Sequence, residues 1–529
     1  MKSLFFSRYA QATALVLGLA GCNKDTFLDV NTNPNNPASV PPSALLNGVE
    51  VTTGFTVGND LGRVTDLLVQ HMAGIANQPR TYDSYQLRGN YDNQWNNELY
   101  GGSLINAQQI INLTQAASPL YSGYAKILKA YNFALLTDLW GDVPYSQALQ
   151  GNLTTPNLQP RFDKQEDIYK GNPALGIQSL FDLVREGLAD IDKGSATPTA
   201  SILKPGADDL MYKGSNAKWK KFGNTLLLKL ANTISKKDPV LAATVIKEVL
   251  AKGPAAYMTD NSDDAEVPFG TTVGNQNPFY AYNYVNRPDD QMLSQRFLDS
   301  LNLRYKDPRI AKFFTSTPTP VLPPVVPPAT TVNTTGVVTP FGTFTGYDNG
   351  GTAAAPIRAH RSRYGTYVVG VSGEAPVRLI TNFQRAFILA EALLTLPGVT
   401  VASKAAQDFY QEGIRASMSK AGISTTDIDS YFKNNPDIVT LDAGRSVEYR
   451  RNQIVTQKWI AWAGNGYEAY NDYRRTGYPK LALVTNPSSE SPTSIPVRLF
   501  YPNSEISANT ANIPTPQPNS DKAVWWATK

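Results

Sequence analysis

Two stretches of the chain combine aromatic rings with amide and charged side chains. The first runs from Asn77 to Asn93 and leads into a helix near Trp95, and the second is the run 277–284, in which four aromatic residues fall within six positions. An aromatic face can receive the CH groups of a sugar ring, while planar amide, guanidinium and carboxylate groups exchange hydrogen bonds with its hydroxyls. The predicted ligand-binding residues are Tyr82, Tyr85, Arg88, Tyr91, Asn93 and Trp95 in the first stretch, and Asn277, Phe279, Tyr280, Tyr282 and Tyr284 in the second.

Both stretches also have a purely structural interpretation. Large proteins bury many aromatic residues in their cores. The alternation of Tyr280, Tyr282 and Tyr284 would suit the buried side of a short strand, since side chains two residues apart share one face of a strand. The sequence leaves both interpretations open.

Metal or cofactor chemistry is not expected. His71 and His360 are the only histidines, and neither has a second ligand-type residue at the spacing that a helical zinc or iron site requires. The acidic run 260–264 lacks the glycine and the final glutamate of a calcium-binding loop, so we predict a solvated acidic turn there. We assign no catalytic residue, no metal and no cofactor.

The start of the chain has the parts of a secretory signal: the basic residues Lys2 and Arg8, an apolar run at 12–19, and small residues before Cys22. The run is too short to span a bilayer. Cys22 is the only cysteine, so it has no partner for an intramolecular disulfide. Leu19-Ala20-Gly21-Cys22 resembles a bacterial lipobox, which implies cleavage before Cys22 and lipidation of its thiol. The alternative is an ordinary secretory signal with a chance cysteine.

The residues after Cys22 bear on the location of the protein. They are Asn23-Lys24-Asp25, without an aspartate directly after the cysteine that would resemble an inner-membrane retention signal. The cluster is similar to the surface-export tags of some Gram-negative lipoproteins. We therefore expect a protein anchored by lipid in the outer membrane and facing the extracellular side.

The composition narrows the classes of partner. The 529 residues carry 48 Lys and Arg against 44 Asp and Glu, and loss of Lys2 and Arg8 with the signal leaves about +2. Such neutrality argues against nucleic acid as a partner, because nucleic acid binding needs a basic face. The 27 Tyr, 20 Phe and 7 Trp instead favour ligands that are neither purely apolar nor charged.

The apolar spacing predicts helices in pairs. Steps of three and four residues appear in Tyr100–Ile111 and Tyr124–Leu135, which are separated by Ser118-Pro119. The same arrangement recurs in a helix through Trp219–Leu230 before one that starts near Pro239, and in a helix through Phe383–Leu394 before one at 403–421. Further helices are expected from Pro42 to about Met72 and from about Arg445 to Ala463. Such pairs predict tetratricopeptide-like packing, although no clean 34-residue repeat is present.

Long irregular stretches separate the helical blocks. We predict a signal peptide at 1–21, a lipidated tether at 22–42, and one mainly α-helical domain at 43–529 with insertions around 253–288, 317–357 and 478–529. The prolines from Pro318 to Pro328 favour an extended polyproline conformation. Long loops inside a compact body are typically functional or disordered, and we expect the insertions to form one binding face.

Several short motifs, in this order and behind the lipobox-like segment, resemble the SusD/RagB-type nutrient-binding lipoproteins over nearly the whole chain. They are Trp95 with Leu99-Tyr100, Leu139-Trp140-Gly141-Asp142-Val143-Pro144-Tyr145, Phe162-Asp163-Lys164-Gln165, Trp219-Lys220-Lys221-Phe222, Asp307-Pro308-Arg309, Ala390-Glu391-Ala392, Gln457-Lys458-Trp459, Arg474-Arg475-Thr476-Gly477 and Ile495-Pro496. The branch called SusD-like is the most similar.

The resemblance implies a surface lipoprotein built on tetratricopeptide-like helix pairs. It implies a position as a lid over a TonB-dependent, SusC-like barrel transporter, to which the protein delivers captured oligosaccharides or a similar oligomeric nutrient. It implies binding without catalysis. Whether the ligand is a sugar or a peptide stays open at this point.

Physical roles can be assigned to two of the motifs. Gly141 follows an apolar helix and can end it in a left-handed conformation, and Pro144 prevents the helix from resuming. Glu391 lies in an apolar run, so we predict that it is buried and paired with Arg474 or Arg475.

Two other functions remain as alternatives. A lipid-anchored glycoside hydrolase needs only two carboxylates at a suitable separation, a pattern that a sequence does not show, and Asp289 and Glu391 are acids that could serve. A helical interaction module without a small ligand would not need the aromatic loops.

Overall fold

The protein is described from a computed structural model, which covers residues 40–151, 153–198, 201–318 and 336–528. The predicted signal peptide at 1–21, the lipidation site Cys22 and the tether up to residue 39 lie outside the described residues. So do residues 319–335, which include most of the proline tract. The predicted domain boundaries therefore stay predictions.

Helices dominate the described part of the chain. The α-helices, numbered in chain order, are α1 (Pro42–Gly58), α2 (Asp60–Leu68), α3 (Asn77–Asp83), α4 (Ile105–Thr114), α5 (Pro119–Trp140), α6 (Gln165–Lys170), α7 (Leu180–Ala196), α8 (Asn216–Ile234), α9 (Pro239–Ala251), α10 (Pro278–Tyr280), α11 (Gln295–Asp299), α12 (Ile310–Phe313), α13 (Thr366–Val369), α14 (Asn382–Thr395), α15 (Ala406–Lys420), α16 (Thr425–Asn434), α17 (Pro436–Val439), α18 (Val447–Ala461), α19 (Gly466–Thr476) and α20 (Asn503–Ala508). Segments of π-helix are Gln94–Leu104, Ala281–Asn286 and Ser300–Arg304.

The strands of the described residues are short and form four separate antiparallel pairs, β1 with β5, β2 with β3, β4 with β8, and β6 with β7. They are β1 (Met72–Gly74), β2 (Val143–Pro144), β3 (Phe162–Asp163), β4 (Ala265–Val267), β5 (Gln291–Leu293), β6 (Val337–Thr339), β7 (Gly342–Phe344) and β8 (Val377–Ile380). The predicted mainly α fold is confirmed.

The helix pairs expected from the spacing are present. Helix α4 packs on α5, α8 on α9, and α14 on α15, and further contacts of α5 with α7, of α8 with α14 and of α14 with α18 join these pairs into one scaffold. Proline occupies the first turn of α1, α5 and α9, where its missing N–H would have had no partner in the helix. The side chain of Asp238 caps α9 by accepting a hydrogen bond from the backbone of Leu241.

Some boundaries differ from the prediction. The helical period that starts at Pro42 is divided into α1 and α2 at Asn59, whose backbone leaves the helical conformation. The loop expected from Asn77 begins with the short helix α3. The helices predicted at 403–421 and 445–463 begin three and two residues later than expected, respectively. Their N-cap residues are Ala405 and Ser446.

The acidic run 260–264 is only partly solvated, so this prediction was wrong for two of its residues. Asp263 accepts from the ammonium group of Lys221 at 2.8 Å. Asp264 accepts from the backbone N–H of Asn382 at 2.7 Å. Both carboxylates are buried, whereas Asp260 is exposed. The run is used to attach the segment after α9 to α8 and α14, a tertiary role that local sequence does not encode.

A buried carboxylate on α5 connects distant parts of the chain. Oδ1 of Asp138 accepts hydrogen bonds from the hydroxyl of Tyr169 at 2.7 Å and from the indole of Trp526 at 2.9 Å. Oδ2 accepts from the hydroxyl of Tyr467 at 2.7 Å and the amide of Asn471 at 2.9 Å. Four donors thus satisfy a charge that would otherwise be costly to bury, and they tie α6, α19 and the C-terminal segment to α5.

The predicted end of α5 is confirmed. Gly141 follows Trp140 with φ of 85°, a left-handed value that favours glycine. A Cβ at this position would lie 3.3 Å from the guanidinium nitrogens of Arg498, and Arg498 donates to the carbonyl oxygen of Trp140. The glycine is therefore needed both for the turn and for the close approach of the arginine.

The predicted pairing of Glu391 is also confirmed, with Arg475 as the partner. Both oxygens of Glu391 accept from the guanidinium group, at 2.6 and 2.8 Å, and Arg451 lies 3.2 Å away. Burial alone would raise the pKa of Glu391, but Arg475, Arg451 and Lys458 outweigh it and lower this pKa to about 2. Glu391 is thus an ionised structural residue that holds α14 to α19 and α18.

No α-helix in the described ranges is long and apolar enough to cross a membrane.

We expect Glu391→Gln to lower the free energy of unfolding at pH 7 by about 3 kcal/mol, because it leaves the buried Arg475 without its counter-charge. The native pKa lies below the ordinary 4.5, so this contribution is complete above pH 4.5 and is lost as the pH falls toward 2. The difference between wild type and variant should therefore shrink by about 1–2 kcal/mol between pH 7 and pH 3. Urea denaturation at both pH values measures it.

The matched control is Glu166→Gln, which removes an exposed carboxylate paired with Lys170 four residues later. Such surface pairs contribute about 0.3–0.5 kcal/mol. An equal effect of the two substitutions, or a Glu391 effect that does not change with pH, would contradict the assigned role.

Candidate functional site

Most of the first predicted stretch is core rather than surface. Tyr82, Tyr85, Tyr91 and Trp95 are at most 3% exposed. The rings of Tyr91 and Trp95 meet Trp140 edge-on, with centroids 6.2 and 5.4 Å apart. In this structure these four rings are not available as a sugar platform, because the chain from α3 to the first π-helical segment folds inward against α5.

The polar atoms of Tyr82, Tyr85 and Trp95 are occupied within the protein. The hydroxyl of Tyr82 donates to Asp60 at 3.1 Å, and the indole of Trp95 donates to Glu505 at 3.3 Å. The hydroxyl of Tyr85 accepts from the backbone of Val484 at 3.3 Å. The contacts of Tyr85 and Trp95 attach the C-terminal segment to the body, which is a structural role.

Two predicted residues of the first stretch reach the surface. Arg88 is exposed, and its guanidinium group lies 4.1 Å from the ring centre of Phe500. Asn93 is exposed as well, and its amide donates to Glu98 at 3.0 Å and accepts from Asn97 at 2.9 Å. Both side chains can form hydrogen bonds with solvent or a ligand. However, the predicted aromatic residues of the same stretch are all buried.

The second stretch is a helical turn and not a strand. Helix α10 passes directly into the π-helical segment Ala281–Asn286. The side chain of Asn277 caps this turn by accepting from the backbone N–H groups of Phe279 and Tyr280, at 2.9 and 3.3 Å. Its amide nitrogen donates to the carbonyl oxygens of Val368 and Ala375. Asn277 is buried and fully used, so it positions the turn and does not face a ligand.

The helical geometry divides the aromatic residues of the turn among different environments. Phe279 is buried and contacts Tyr364, with ring centroids 5.3 Å apart. Tyr282 covers the guanidinium group of Arg63 at 3.9 Å, and its hydroxyl donates to Asp290 at 3.2 Å. These two residues therefore join the turn to the body.

Tyr280 and Tyr284 form a stacked pair at the surface, which we call the tyrosine stack. Their ring centroids are 5.2 Å apart and the rings are 11° from parallel. Both residues are half-buried. Residues four apart on a helical turn share one face, which explains why these two meet. The guanidinium group of Arg363 lies 4.1 Å from the ring centre of Tyr284 and contributes a cation–π contact.

The hydroxyl of Tyr284 fixes the orientation of the stack. It donates to the carbonyl oxygen of Tyr364 at 2.5 Å. Arg363 donates in turn to the carbonyl oxygen of Asn283 at 3.2 Å. The backbone that precedes α13 thus supports the turn from one side, and the ring of Tyr284 has little freedom to rotate away.

Two neighbouring loops support the stack from another side. The amide of Gln276 donates to the carbonyl oxygens of Thr271, at 3.2 Å, and Ser372, at 2.7 Å. Gly373 has a φ of 102°, and a Cβ there would lie 2.7 Å from the side chain of Gln276 and 3.1 Å from Cδ1 of Tyr280. Only glycine allows this close approach. The loops also expose Val371.

Polar groups follow the tyrosine stack along the chain. Asn286 and Arg287 are exposed at the end of the turn. Asp289 binds Arg358 and lies 2.7 Å from Arg361, and these arginines lower the pKa of its carboxyl. A stacked aromatic surface with a guanidinium group on Tyr284 and exposed polar groups at the end of its turn can bind a ring that has apolar and hydroxyl-bearing faces.

A chain of contacts joins the two predicted stretches. Tyr82 binds Asp60, Asp60 accepts from Arg63 at 2.6 Å, and Arg63 lies under Tyr282. Close by, burial and the charge of Asp60 raise the pKa of Glu98 to about 7. The structure therefore brings the stretches together through buried charges, not as one continuous platform.

Sequence reasoning missed three residues that shape the surface. Arg363 and Gly373 are more than 75 residues away from the turn that they contact, so no local signal identifies them. Arg63, in helix α2, is also far from the turn in the sequence, so no local signal identifies it either. The spacing of four between Tyr280 and Tyr284 was a usable signal, because it places two rings on one face only if the segment is helical.

Comparison with known proteins agrees with this architecture. The profile of a SusD-like family, described as "Starch-binding associating with outer membrane", matches residues 34–502. A search of curated proteins found no match.

Solved structures share the fold. A chitin-binding protein is 24% identical, with a TM-score of 0.72 and coverage of 92% of this chain and 100% of its own. A chitin-binding SusD homologue from Flavobacterium johnsoniae is 24% identical, with a TM-score of 0.70 and coverage of 92% and 97%. A SusD-like protein from Bacteroides thetaiotaomicron is 19% identical, with a TM-score of 0.71 and coverage of 92% and 99%. With a family profile that spans most of its length and this shared helical fold, the chain belongs to the SusD-like family.

Proposed function

We propose that this protein binds an oligosaccharide at the tyrosine stack and delivers it to a TonB-dependent, SusC-like transporter of the outer membrane. The protein acts in this proposal as a non-catalytic capture protein that is attached to the outer membrane through lipid on Cys22. The single observation that carries the proposal is the stacked, half-buried pair Tyr280 and Tyr284 on a SusD-like scaffold.

The ligand class follows from the surface chemistry and from the relatives. Rings that are held rigidly offer contact area at a low entropic cost, and sugar CH groups can lie against them. The surface beside the stack supplies amide and guanidinium donors in Asn286, Arg287 and Arg363. The family description names starch binding, and two structures of the same fold are described as chitin-binding. Chito-oligosaccharides and malto-oligosaccharides are therefore the first ligands to test.

The alternative of a glycoside hydrolase finds little support in Glu391 and Asp289, the two acids that could serve it. Glu391 is buried and held ionised by Arg475, and Asp289 is paired with Arg358 and Arg361, so neither carries a proton to donate at neutral pH. Glu98 has a pKa of about 7, which suits a general acid. It is only 5% exposed, however, and its Oε1 accepts from the amides of Asn93 and Gln94.

A pure interaction module would not need an oriented aromatic surface. The turn of the tyrosine stack is capped by Asn277 and supported by Tyr364 and Gly373. This amount of positioning favours a rigid ligand that meets the rings in one orientation.

Attachment near a transporter would make modest affinity sufficient, because a tethered protein keeps its ligand at a high local concentration. Modest affinity suits a protein that passes its ligand on.

We expect Tyr280→Ala to weaken oligosaccharide binding about tenfold, since loss of one stacking face removes about 1–1.5 kcal/mol. Tyr284→Ala should weaken binding at least as much, because it also removes the support of Tyr280. Isothermal titration calorimetry with chito-, malto- and cello-oligosaccharides measures the effect, and a reducing-sugar assay is run on each ligand that binds.

The matched control is Tyr449→Ala, which removes an exposed tyrosine of α18 outside the turn and should leave affinity unchanged. Circular dichroism checks that each variant is folded. Unchanged affinity in both stack variants would contradict the assigned surface. Release of reducing sugar would instead favour the hydrolase.

We expect Cys22→Ser to move the protein from the outer-membrane fraction to the soluble fraction, because several acyl chains supply the anchor and each buried methylene contributes about 0.8 kcal/mol. Cell fractionation and mass measurement of the N-terminal peptide check this expectation. Asn23→Ser is the matched control at the next position and should stay lipidated. A Cys22→Ser protein that still fractionates with the outer membrane would contradict the lipid anchor.

A further inference from the structure

The helical scaffold contains a cavity of about 800 Å³. It lies between α9, α14 and α15 and is closed at one side by the segment 398–404, which connects α14 to α15. None of the residues of the tyrosine stack lines it. The cavity is therefore a second concave site, and its size falls in the range that holds a small organic ligand.

The walls of this cavity are largely apolar. Leu250 of α9, Phe409 of α15 and Val401 of the connecting segment contribute hydrocarbon surface, and Pro254 and Tyr257 extend it after α9. An apolar ligand body would replace water against these side chains, which is favourable by the hydrophobic effect.

Positive charge is concentrated on the same walls. Arg385, Lys404 and Lys247 line the cavity, and Glu412 is the only carboxylate among the lining residues. The site thus carries a surplus of two positive charges. Within the described chain, no carboxylate lies within ion-pair distance of the Lys247 ammonium group.

Arg385 is held in place but is not satisfied. Its Nη2 donates to Asn382 and, at 2.5 Å, to Oε1 of Glu412, while Oε2 of Glu412 accepts from Lys404 at 2.8 Å. Arg385 is 1% exposed, and its buried Nε has no hydrogen-bond partner in the described residues. A buried guanidinium nitrogen without a partner is costly, and an acceptor that reaches it would be favoured.

We propose that this cavity binds a small carboxylic acid with an apolar body. The carboxylate lies toward Arg385, Lys404 and Lys247, and the apolar body contacts Leu250, Val401 and Phe409. A carboxylate matches the surplus charge and accepts paired hydrogen bonds from a guanidinium group. The apolar walls exclude a strongly hydrated anion such as free phosphate, because its desolvation would not be compensated.

The test uses the purified full chain and 3-phenylpropionate as the probe. We expect saturable binding by isothermal titration calorimetry, with the uncharged analogue 3-phenylpropanol at least tenfold weaker. Lys247→Gln should weaken binding of the acid about fivefold, because it removes an unpaired cation without disturbing an ion pair. Ala251→Trp, which places an indole in the cavity, should abolish binding.

Lys433→Gln is the matched control, since this exposed lysine of α16 does not line the cavity. Arg385→Gln is less informative alone, because it also breaks the contact with Glu412. The proposal would be overturned by equal affinity for the acid and the alcohol, by tighter binding of inorganic phosphate than of the acid, or by no binding of the acid up to about 10 mM. Binding that survives Ala251→Trp in a folded protein would place the ligand elsewhere. None of these results depends on whether the tyrosine stack binds sugar.

Discussion

The carboxylate of Asp138 is the contact on which the arrangement of the chain depends. A buried charge must be fully hydrogen-bonded to be tolerated, and here the four donors come from α6, α19 and the C-terminal segment. Segments that are more than 300 residues apart must be in place together, so the end of the chain closes over the helix α5. Glu391 and Arg475 make a similar connection between α14 and α19.

A scaffold fixed in this way leaves the insertions free to build surfaces. The turn of the tyrosine stack needs few residues of its own, because Asn277, Tyr364 and Gly373 hold it against the body. Rigid support of a small aromatic surface reduces the entropy that a ligand must remove on binding. The cavity beside Arg385 belongs to the helix pairs instead, so the two proposed sites use different parts of the fold.

The sequence predicted the helix pairs, the end of α5 at Gly141 and the pairing of Glu391, since each depends on local periodicity or on the need of a buried charge for a partner. It did not separate the core tyrosines from the surface ones. Tyr85 and Tyr280 both lie in aromatic-rich, polar stretches, but Tyr85 is 1% exposed and its hydroxyl accepts from Val484, nearly 400 residues away. The direction of such a ring depends on tertiary contacts that a single sequence does not encode.

The most direct test of oligosaccharide capture is a crystal structure of the protein with a bound chito- or malto-oligosaccharide, whichever binds in solution. The account predicts a sugar ring against Tyr280 and Tyr284, with hydroxyl groups hydrogen-bonded to residues at the end of the turn such as Asn286 and Arg287. A sugar bound elsewhere, with the tyrosine stack unoccupied, would contradict it.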